Sequence, residues 1–220
     1  MPIPQIGELL ANPQKLTWHI LRVIIASLVL SLLAAFFLDQ SFSAYFSQPE
    51  IRDLYRPTAR ILTDFGLSEY YFLLAITTWA FAKWVTPKKD FARRWGLNLL
   101  VALLVCGAIT HIIKFLVGRQ RPHKSPDFDP WVFTPFTTHW HWHSFSSGHS
   151  QVIFTAATMM SLAFPKWRWL WIFFAISICL TRVIVHDHFF SDTIFGACVG
   201  YVGTLMALYL MRAKTRNGLY

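Results

Sequence analysis

The chain carries little charge, and no segment divides it into domains. Only 14% of its 220 residues are charged and 55% are hydrophobic, with 10 tryptophans and 20 phenylalanines. This composition excludes an ordinary soluble domain and indicates an integral membrane protein. The sequence has no Gly/Ser-rich linker, low-complexity tract or internal repeat. We therefore expect a single membrane-embedded domain over residues 1–220.

The three cysteines are too few and too scattered for a disulfide framework or a thiolate metal site. Cys106, Cys179 and Cys198 each fall inside an apolar stretch, where we expect them to pack. The N-terminus has no basic region or small-residue cleavage site beside its first apolar run, so a cleaved signal peptide is not expected. Residues 1–17 are predicted to pack, or to form a short interfacial helix.

Six apolar stretches of roughly the length that crosses a membrane predict an all-α bundle of six transmembrane helices. The second and fourth are short for a span, and Pro165 ends the fourth because proline cannot continue a helix. The predicted spans are Trp18–Leu38, Tyr70–Val85, Leu97–Val117, His149–Phe164, Trp167–His186 and Ser191–Met211.

The formal net charge of +9 does not form a nucleic-acid-binding patch, because the basic residues collect in short loops. That distribution orients membrane proteins with their basic loops in the cytoplasm. It predicts that both termini are cytoplasmic and that the first, third and fifth connections face outward. The basic residues in question are Lys83, Lys88, Lys89, Arg93, Arg94, Lys166, Arg168, Arg212, Lys214 and Arg216.

Polar residues suited to phosphate chemistry then fall at the outer ends of three separate spans. Charged side chains at such positions are costly and usually functional. Arginine presents a planar fork of donors to phosphate oxygens, and lysine supplies a point charge. The first turn of a helix offers free backbone amides to an anion. These candidates are Lys114, Arg121, Ser147, Gly148, His149, Arg182, His188 and Asp192.

Each candidate has a specific expected role. Lys114 and Arg121 are seven residues apart and would share one face if the helix continued between them. Asp192, four residues after His188, could fix the imidazole tautomer and leave the other ring nitrogen free to attack phosphorus. His149 could protonate the leaving alkoxide. Three cations and a helix N-terminus could stabilise the transition state without a metal.

These residues resemble the three-part signature of the type 2 phosphatidic acid phosphatase superfamily: K-x6-RP, PSGH and SR-x5-H-x3-D. Here it reads KFLVGRQRP from Lys114, SSGH from Ser146 and TRVIVHDHFFSD from Thr181, and it spans residues 114–192. Ser146 replaces the usual proline and offers a capping hydroxyl, while Thr181 replaces the usual serine. Neither departure removes a catalytic group.

The resemblance implies a metal-independent lipid phosphatase with no cofactor. In this family the histidine matching His188 forms a phosphohistidine, the aspartate matching Asp192 orients it, and the histidine matching His149 protonates the leaving group. The remaining five candidates would bind the phosphate. The expected substrate is a bilayer lipid: undecaprenyl diphosphate, phosphatidylglycerophosphate, phosphatidic acid or a lipid A phosphate. The expected location is a bacterial inner membrane, with the site on the periplasmic side.

Other functions remain open at the level of sequence. The same intermediate would serve a lipid phosphotransferase. The signature also resembles that of vanadium-dependent haloperoxidases, which are largely soluble. A transporter would need buried charges through the whole membrane depth. His139, His141 and His143 alternate in a loop where they could bind a metal, but the interleaved tryptophans favour a membrane-facing rim. No nucleic acid or protein partner is predicted.

Overall fold

A computed structural model describes residues 6–85 and 89–216, and in those residues the regular structure is helical. The only pairing of extended backbone within them is an isolated bridge between Arg119 and Phe133. The expected all-α class is confirmed there. The helices are α1 (Ile6–Ala11), α2 (Pro13–Phe37), α3 (Asp39–Ser47), α4 (Pro49–Thr63), α5 (Ser68–Val85), α6 (Lys89–Val117), α7 (Gly148–Ala163), α8 (Arg168–Ile184) and α9 (Phe190–Arg216).

In the part of the chain that the structure describes, four helical segments are long and apolar enough to cross a membrane. They lie in α2, α6, α9 and in α8 with its preceding turn. The six predicted spans all coincide with helices, but α5 has 18 residues and α7 only 16. The count of six and the cytoplasmic termini therefore remain predictions. Lys88 lies outside the described residues, as do residues 1–5 and the side chains of Lys83, Lys214 and Arg216.

The short helix α7 lies at the centre of the bundle, packed on α6, α8 and α9. Nine of its residues are buried. Glycines of α9 allow this packing, because a Cβ at Gly196 would collide with the Ser147 carbonyl and one at Gly200 with that of Gln151. Close contact with α9 thus fixes the start of α7, which is the end that carries the predicted anion site.

The first connection folds into two helices rather than a loop. Helix α3 buries the side chains of Asp39 and Ser43, and α4 buries Ala59 and Thr63. Proline at the start of α4 suits its helical dihedral angle. Both helices pack against α8. This connection therefore brings polar side chains to the end of the bundle where the predicted site lies.

The segment after α6 turns back at Gly118, whose φ of 57° is left-handed. Glycine is required there, because a Cβ would collide with the Thr134 carbonyl. The helical relation expected between Lys114 and Arg121 is therefore wrong, since α6 ends at Val117. Instead the amide of Arg121 donates to the His141 carbonyl oxygen at 2.9 Å, which brings the loop back over the helix end.

The N-terminal segment forms the predicted short helix. Leu9 of α1 and Leu16 of α2 are each 4% exposed and pack in a cluster with Leu205 of α9. Asn12 caps α2 by accepting a hydrogen bond from the Lys15 amide at 3.0 Å. The three cysteines are buried and free, as the sequence predicts. Packing against α9 holds α1 in place.

Candidate active site

His188 and Asp192 lie at the turn into α9, as the sequence predicts. Nδ1 of His188 is 3.6 Å from Oδ2 of Asp192, and the two side chains are 3% and 0% exposed. That distance is an ion-pair contact and slightly longer than a hydrogen bond. Asp192 also accepts the Phe189 amide at 2.8 Å, which fixes the helix start. Asp192 therefore lies at the Nδ1 edge of the imidazole.

The charges of the three predicted cations, Lys114, Arg121 and Arg182, all act on this histidine. Lys114 Nζ donates to the His143 carbonyl oxygen at 2.6 Å. Arg121 Nε donates to the Trp140 carbonyl oxygen at 3.2 Å. Arg182 lies 68 positions after Lys114 in the sequence, but the charges of Arg121 and Arg182 both act on Lys114. The three residues are referred to below as the cation cluster.

The start of α7 contributes the other predicted phosphate ligands. Ser147 is the N-cap, and its hydroxyl accepts the Ser150 amide at 3.4 Å. The capping hydroxyl was expected from Ser146, but the residue that caps α7 is Ser147. The buried Ser146 hydroxyl has no hydrogen-bond partner among the described residues. A Cβ on Gly148 would meet open space. The helix start is thus open to an anion at Gly148.

His149, the predicted general acid, lies in the first turn of α7. A Cβ on Gly66 would come within 2.9 Å of its ring, so the turn between α4 and α5 packs directly on the imidazole. The charges of Arg182, Arg121 and Lys114 act on His149 as they do on His188. Both predicted histidines therefore border the same cation cluster.

Burial and the cation cluster set the proton affinity of His188. Its burial lowers the pKa well below the ordinary value, and the neighbouring cations act in the same direction, against Asp192. A neutral imidazole has a free nitrogen lone pair, which a nucleophile needs. Burial also lowers the pKa of Arg121, opposed by the nearby Asp187 carboxylate. Arginine nevertheless stays charged at physiological pH.

Of the residues that hold this region together, Thr63, Arg119 and Asp39 were not singled out as functional from the sequence. Arg182 is held by the Thr63 hydroxyl at 2.7 Å and by the Asp187 carboxylate. Asp187 also lies 3.8 Å from Arg121. On the other side of the histidine, Asp192 pairs with Arg119, which pairs in turn with Asp39. A usable signal existed for Asp39, since it is an acidic residue directly after the first predicted span.

An open cavity of about 460 Å³ runs from the site between α5, α6 and α7. Lys114 and His149 line it, together with the apolar side chains Leu67, Phe72 and Leu103. The rest of the lining includes both apolar and polar groups: Ser68, Glu69, Leu104, Thr110, His111, Gln151 and Val152. The lining of this groove reaches from Lys114 of the cation cluster to Leu104 of α6, which is exposed.

The loop with alternating histidines covers the site. His143 Nε2 lies 2.9 Å from the Thr137 carbonyl oxygen, and its own carbonyl binds Lys114. Trp140 stacks on His141 with ring centroids 4.0 Å apart and lies under the Arg121 guanidinium at 5.0 Å. Within residues 6–85 and 89–216, no group of three or more histidine, cysteine or acidic side chains is arranged to hold a metal ion.

Residues 95–216 match the profile of the PAP2 superfamily. The chain is 35% identical over 105 residues to a lipid A 1-phosphatase of Rhizobium etli, a match that covers 48% of this chain and 45% of that protein. It is 28% identical over 109 residues to an undecaprenyl-diphosphatase of Sulfolobus acidocaldarius, covering 49% and 51%. The chain thus matches about half the length of these relatives.

The fold also resembles a solved membrane protein. The crystal structure of the transmembrane PAP2 type phosphatidylglycerolphosphate phosphatase from Bacillus subtilis aligns with a TM-score of 0.61 and 18% sequence identity. The alignment covers 88% of this chain and 96% of that chain. At this identity the similarity concerns the fold, and it extends beyond the region that matches the curated relatives.

Proposed function

Because this chain belongs to the PAP2 superfamily, we propose that it is a metal-independent membrane lipid phosphatase acting through a phosphohistidine. One observation carries the proposal: the buried imidazole of His188 lies 3.6 Å from the Asp192 carboxylate, and the charges of three cations act on it. The carboxylate at Nδ1 leaves Nε2 to attack phosphorus. The cations of the cluster suit the charge that develops on the phosphoryl oxygens.

In the first step, His188 Nε2 forms a bond to phosphorus while the bond from phosphorus to the leaving oxygen breaks. His149 gives that oxygen a proton as general acid. In the second step, His149 removes a proton from water, whose oxygen displaces His188 and forms inorganic phosphate. Lys114, Arg121, Arg182, Ser147 and the Gly148 amide bind the phosphoryl oxygens in both steps, and Asp192 holds the imidazole.

The substrate in this proposal is a phosphomonoester or diphosphate of a lipid. The groove between α5, α6 and α7 is mostly apolar and ends at Lys114 and His149, so a hydrocarbon chain in it would deliver its phosphate to the cluster. One relative is named a lipid A 1-phosphatase and another an undecaprenyl-diphosphatase. Phosphatidylglycerophosphate and phosphatidic acid complete the candidates. Several polar groups in the groove favour a lipid with a polar headgroup next to the phosphate.

The distribution of buried charge favours an enzyme over a transporter. Among the described residues, the buried charged and histidine side chains lie at the same end of the bundle as the site. A transport pathway would need them through the membrane depth. These buried residues are Asp39, Lys114, Arg119, Arg182, His186, His188 and Asp192.

We further propose six spans, cytoplasmic termini and a periplasmic active site in a bacterial inner membrane. Helix α6 begins at Lys89 and carries Lys114 near its C-terminal end. Helix α8 likewise begins at Arg168 and carries Arg182 near its C-terminal end. The clusters of exposed basic residues therefore lie opposite the site, where the positive-inside rule puts the cytoplasm. Reporter fusions at both termini test this orientation, and a periplasmic terminus would contradict it.

The function is tested by phosphate release from purified protein in detergent with EDTA present, over a panel of the four candidate lipids. We expect turnover by the native protein and none by His188→Ala. His19→Ala serves as the matched control, because His19 pairs with Tyr201 in the inner half of the bundle. Full activity of His188→Ala would exclude this nucleophile. Labelled phosphate recovered on a second lipid would reassign the chain as a phosphotransferase.

A further inference from the structure

Arg119 lies behind the proposed orienting carboxylate and links it to the rest of the fold. Its Nη1 donates to Asp192 Oδ1 at 2.5 Å, and its Nε to the Pro130 carbonyl oxygen at 2.9 Å. The guanidinium also lies over the Phe189 ring, 4.3 Å from its centroid. Arg119 is 3% exposed, so water does not compete for these contacts.

Asp39 of α3 holds the other side of the same guanidinium. Its Oδ2 accepts from Arg119 Nη2 at 2.8 Å and from the Ser191 hydroxyl at 2.5 Å. Its Oδ1 accepts the Ser191 amide at 2.9 Å. Ser191 precedes Asp192 in the chain, so Asp39 binds the turn both directly and through Arg119. Its side chain is 0% exposed.

The remaining oxygen of Asp192 is held independently. Oδ2 accepts from the Ser144 hydroxyl at 2.5 Å and from the Phe189 amide at 2.8 Å, and it faces His188. The carboxylate therefore cannot rotate without breaking bonds at both oxygens. Arg119 sets which oxygen faces the histidine, because it occupies Oδ1.

We propose that Asp39 and Arg119 are positioning residues that act on His188 through Asp192. The inference rests on the proposed function and adds two residues that lie outside the three-part signature's fixed positions. Arg119 keeps Oδ1 occupied, and Asp39 fixes the guanidinium so that its fork stays aligned with Asp192. A guanidinium suits this role because its planar donors can bind two carboxylates at once. Neither residue contacts the substrate.

The test compares Asp39→Asn with Gln40→Ala, a change at the next residue, which is exposed and donates only to the Asp127 carbonyl oxygen. We expect Asp39→Asn to lower kcat by about 10- to 100-fold, the usual effect of removing a supporting partner, with KM unchanged. Quenched-flow trapping should show slower phosphohistidine formation. Gln40→Ala should retain the native kcat.

A double-mutant cycle separates positioning from general structural support. If Asp39 acts through Asp192, adding Asp39→Asn to Asp192→Asn should lower the residual kcat no further, whereas independent effects would multiply. Multiplicative effects, or an unchanged kcat in Asp39→Asn alone, would overturn the inference. If Asp39→Asn does not yield monodisperse protein, Ser191→Ala decides by the same criteria, since it removes a hydroxyl bonded to both Asp39 and Arg119.

The two proposals fail in different ways. Native protein that releases no phosphate from any lipid would overturn the function and the positioning role together. Active native protein with an unaffected kcat in Asp39→Asn would overturn the positioning role alone and leave the phosphohistidine mechanism in place.

Discussion

The two sides of His188 are held by different kinds of bonds. Behind it, Arg119 and Asp39 have side chains 4% and 0% exposed, and they are joined by direct bonds between opposite charges. In front, Arg121 and Asp187 are 16% and 33% exposed and 3.8 Å apart. The rear is a closed network of buried partners, whereas the front is partly reached by solvent at Arg121 and Asp187.

The front cations bind groups that they can give up. Lys114 and Arg121 each donate to a backbone carbonyl oxygen, and such neutral acceptors are weaker partners than a phosphate anion. Arg182 is bound to the Thr63 hydroxyl and to the carboxylate of Asp187, which is partly exposed. The comparison indicates that the rear is preorganised for position and the front for exchange with a substrate.

The largest expected effect is a difference in the free energy of unfolding between a variant of the rear network and a variant of the front. Arg119→Ala leaves Asp39 and Asp192 buried without their cation, and breaking a buried pair in this way costs about 3–5 kcal/mol. Arg121→Ala removes a partly exposed partner and should cost about 1 kcal/mol or less. Thermal unfolding in detergent, followed by tryptophan fluorescence, measures both. Equal losses would contradict the division into a rear network and an exchangeable front.

The second effect concerns activity at the front. Arg121→Lys keeps the charge but loses the planar fork, and we expect kcat/KM to fall by about 10²-fold, as when one oxyanion donor is removed. The melting temperature should stay near the native value. The matched control is Lys124→Ala, an exposed residue of the same loop. Native-like kcat/KM in Arg121→Lys would show that the position needs only a positive charge.

The third effect follows from the position of His188 between the two sides. Its lowered pKa keeps the folded imidazole neutral below pH 6.5, where an unfolded histidine takes up a proton. The unfolded state then binds more protons, so stability falls as pH drops below about 6.5, by up to about 1.4 kcal/mol per unit for this group. His188→Asn should remove that share of the slope.

Denaturant unfolding of the native protein and of His188→Asn at pH 6 and pH 5 measures how much His188 contributes to the pH dependence of stability. The control is His139→Asn, at an exposed loop histidine, measured in the same way. An unchanged slope in His188→Asn would mean that the pKa of this imidazole is not lowered in the folded protein, which contradicts the effect expected from its burial.

The sequence could predict the front better than the rear. Hydrophobic length located the helices, and the one-sided sorting of polar residues located the cation cluster and both histidines. The rear network was missed because its contacts join residues far apart in the chain: Arg119 to Asp39 over 80 positions and Asp39 to Ser191 over 152. No local periodicity encodes such pairs.

Two further differences have local causes. Arg119 lies among the six variable positions of the first motif. A cation there cannot be distinguished by sequence from any basic residue near a membrane boundary. The left-handed Gly118 ends α6 before Arg121, so helical spacing could not give the approach of Arg121 to Lys114. The roles of the site residues remain proposals, because position alone does not establish chemistry.

The smallest expected effect concerns Asp187, the one acidic side chain described among the front cations. It pairs with Arg182 and lies within 4 Å of Arg121 and His123, so it competes with a phosphate for the same charges. Asp187→Asn should therefore tighten inhibition by phosphate or vanadate by about 1 kcal/mol or less, which is roughly fivefold at most in the inhibition constant. Asp53→Asn, at an exposed carboxylate that pairs with Arg52, should leave the inhibition constant unchanged. Weaker inhibition in Asp187→Asn would show instead that this carboxylate holds Arg182 in its binding position, and would make the front as preorganised as the rear.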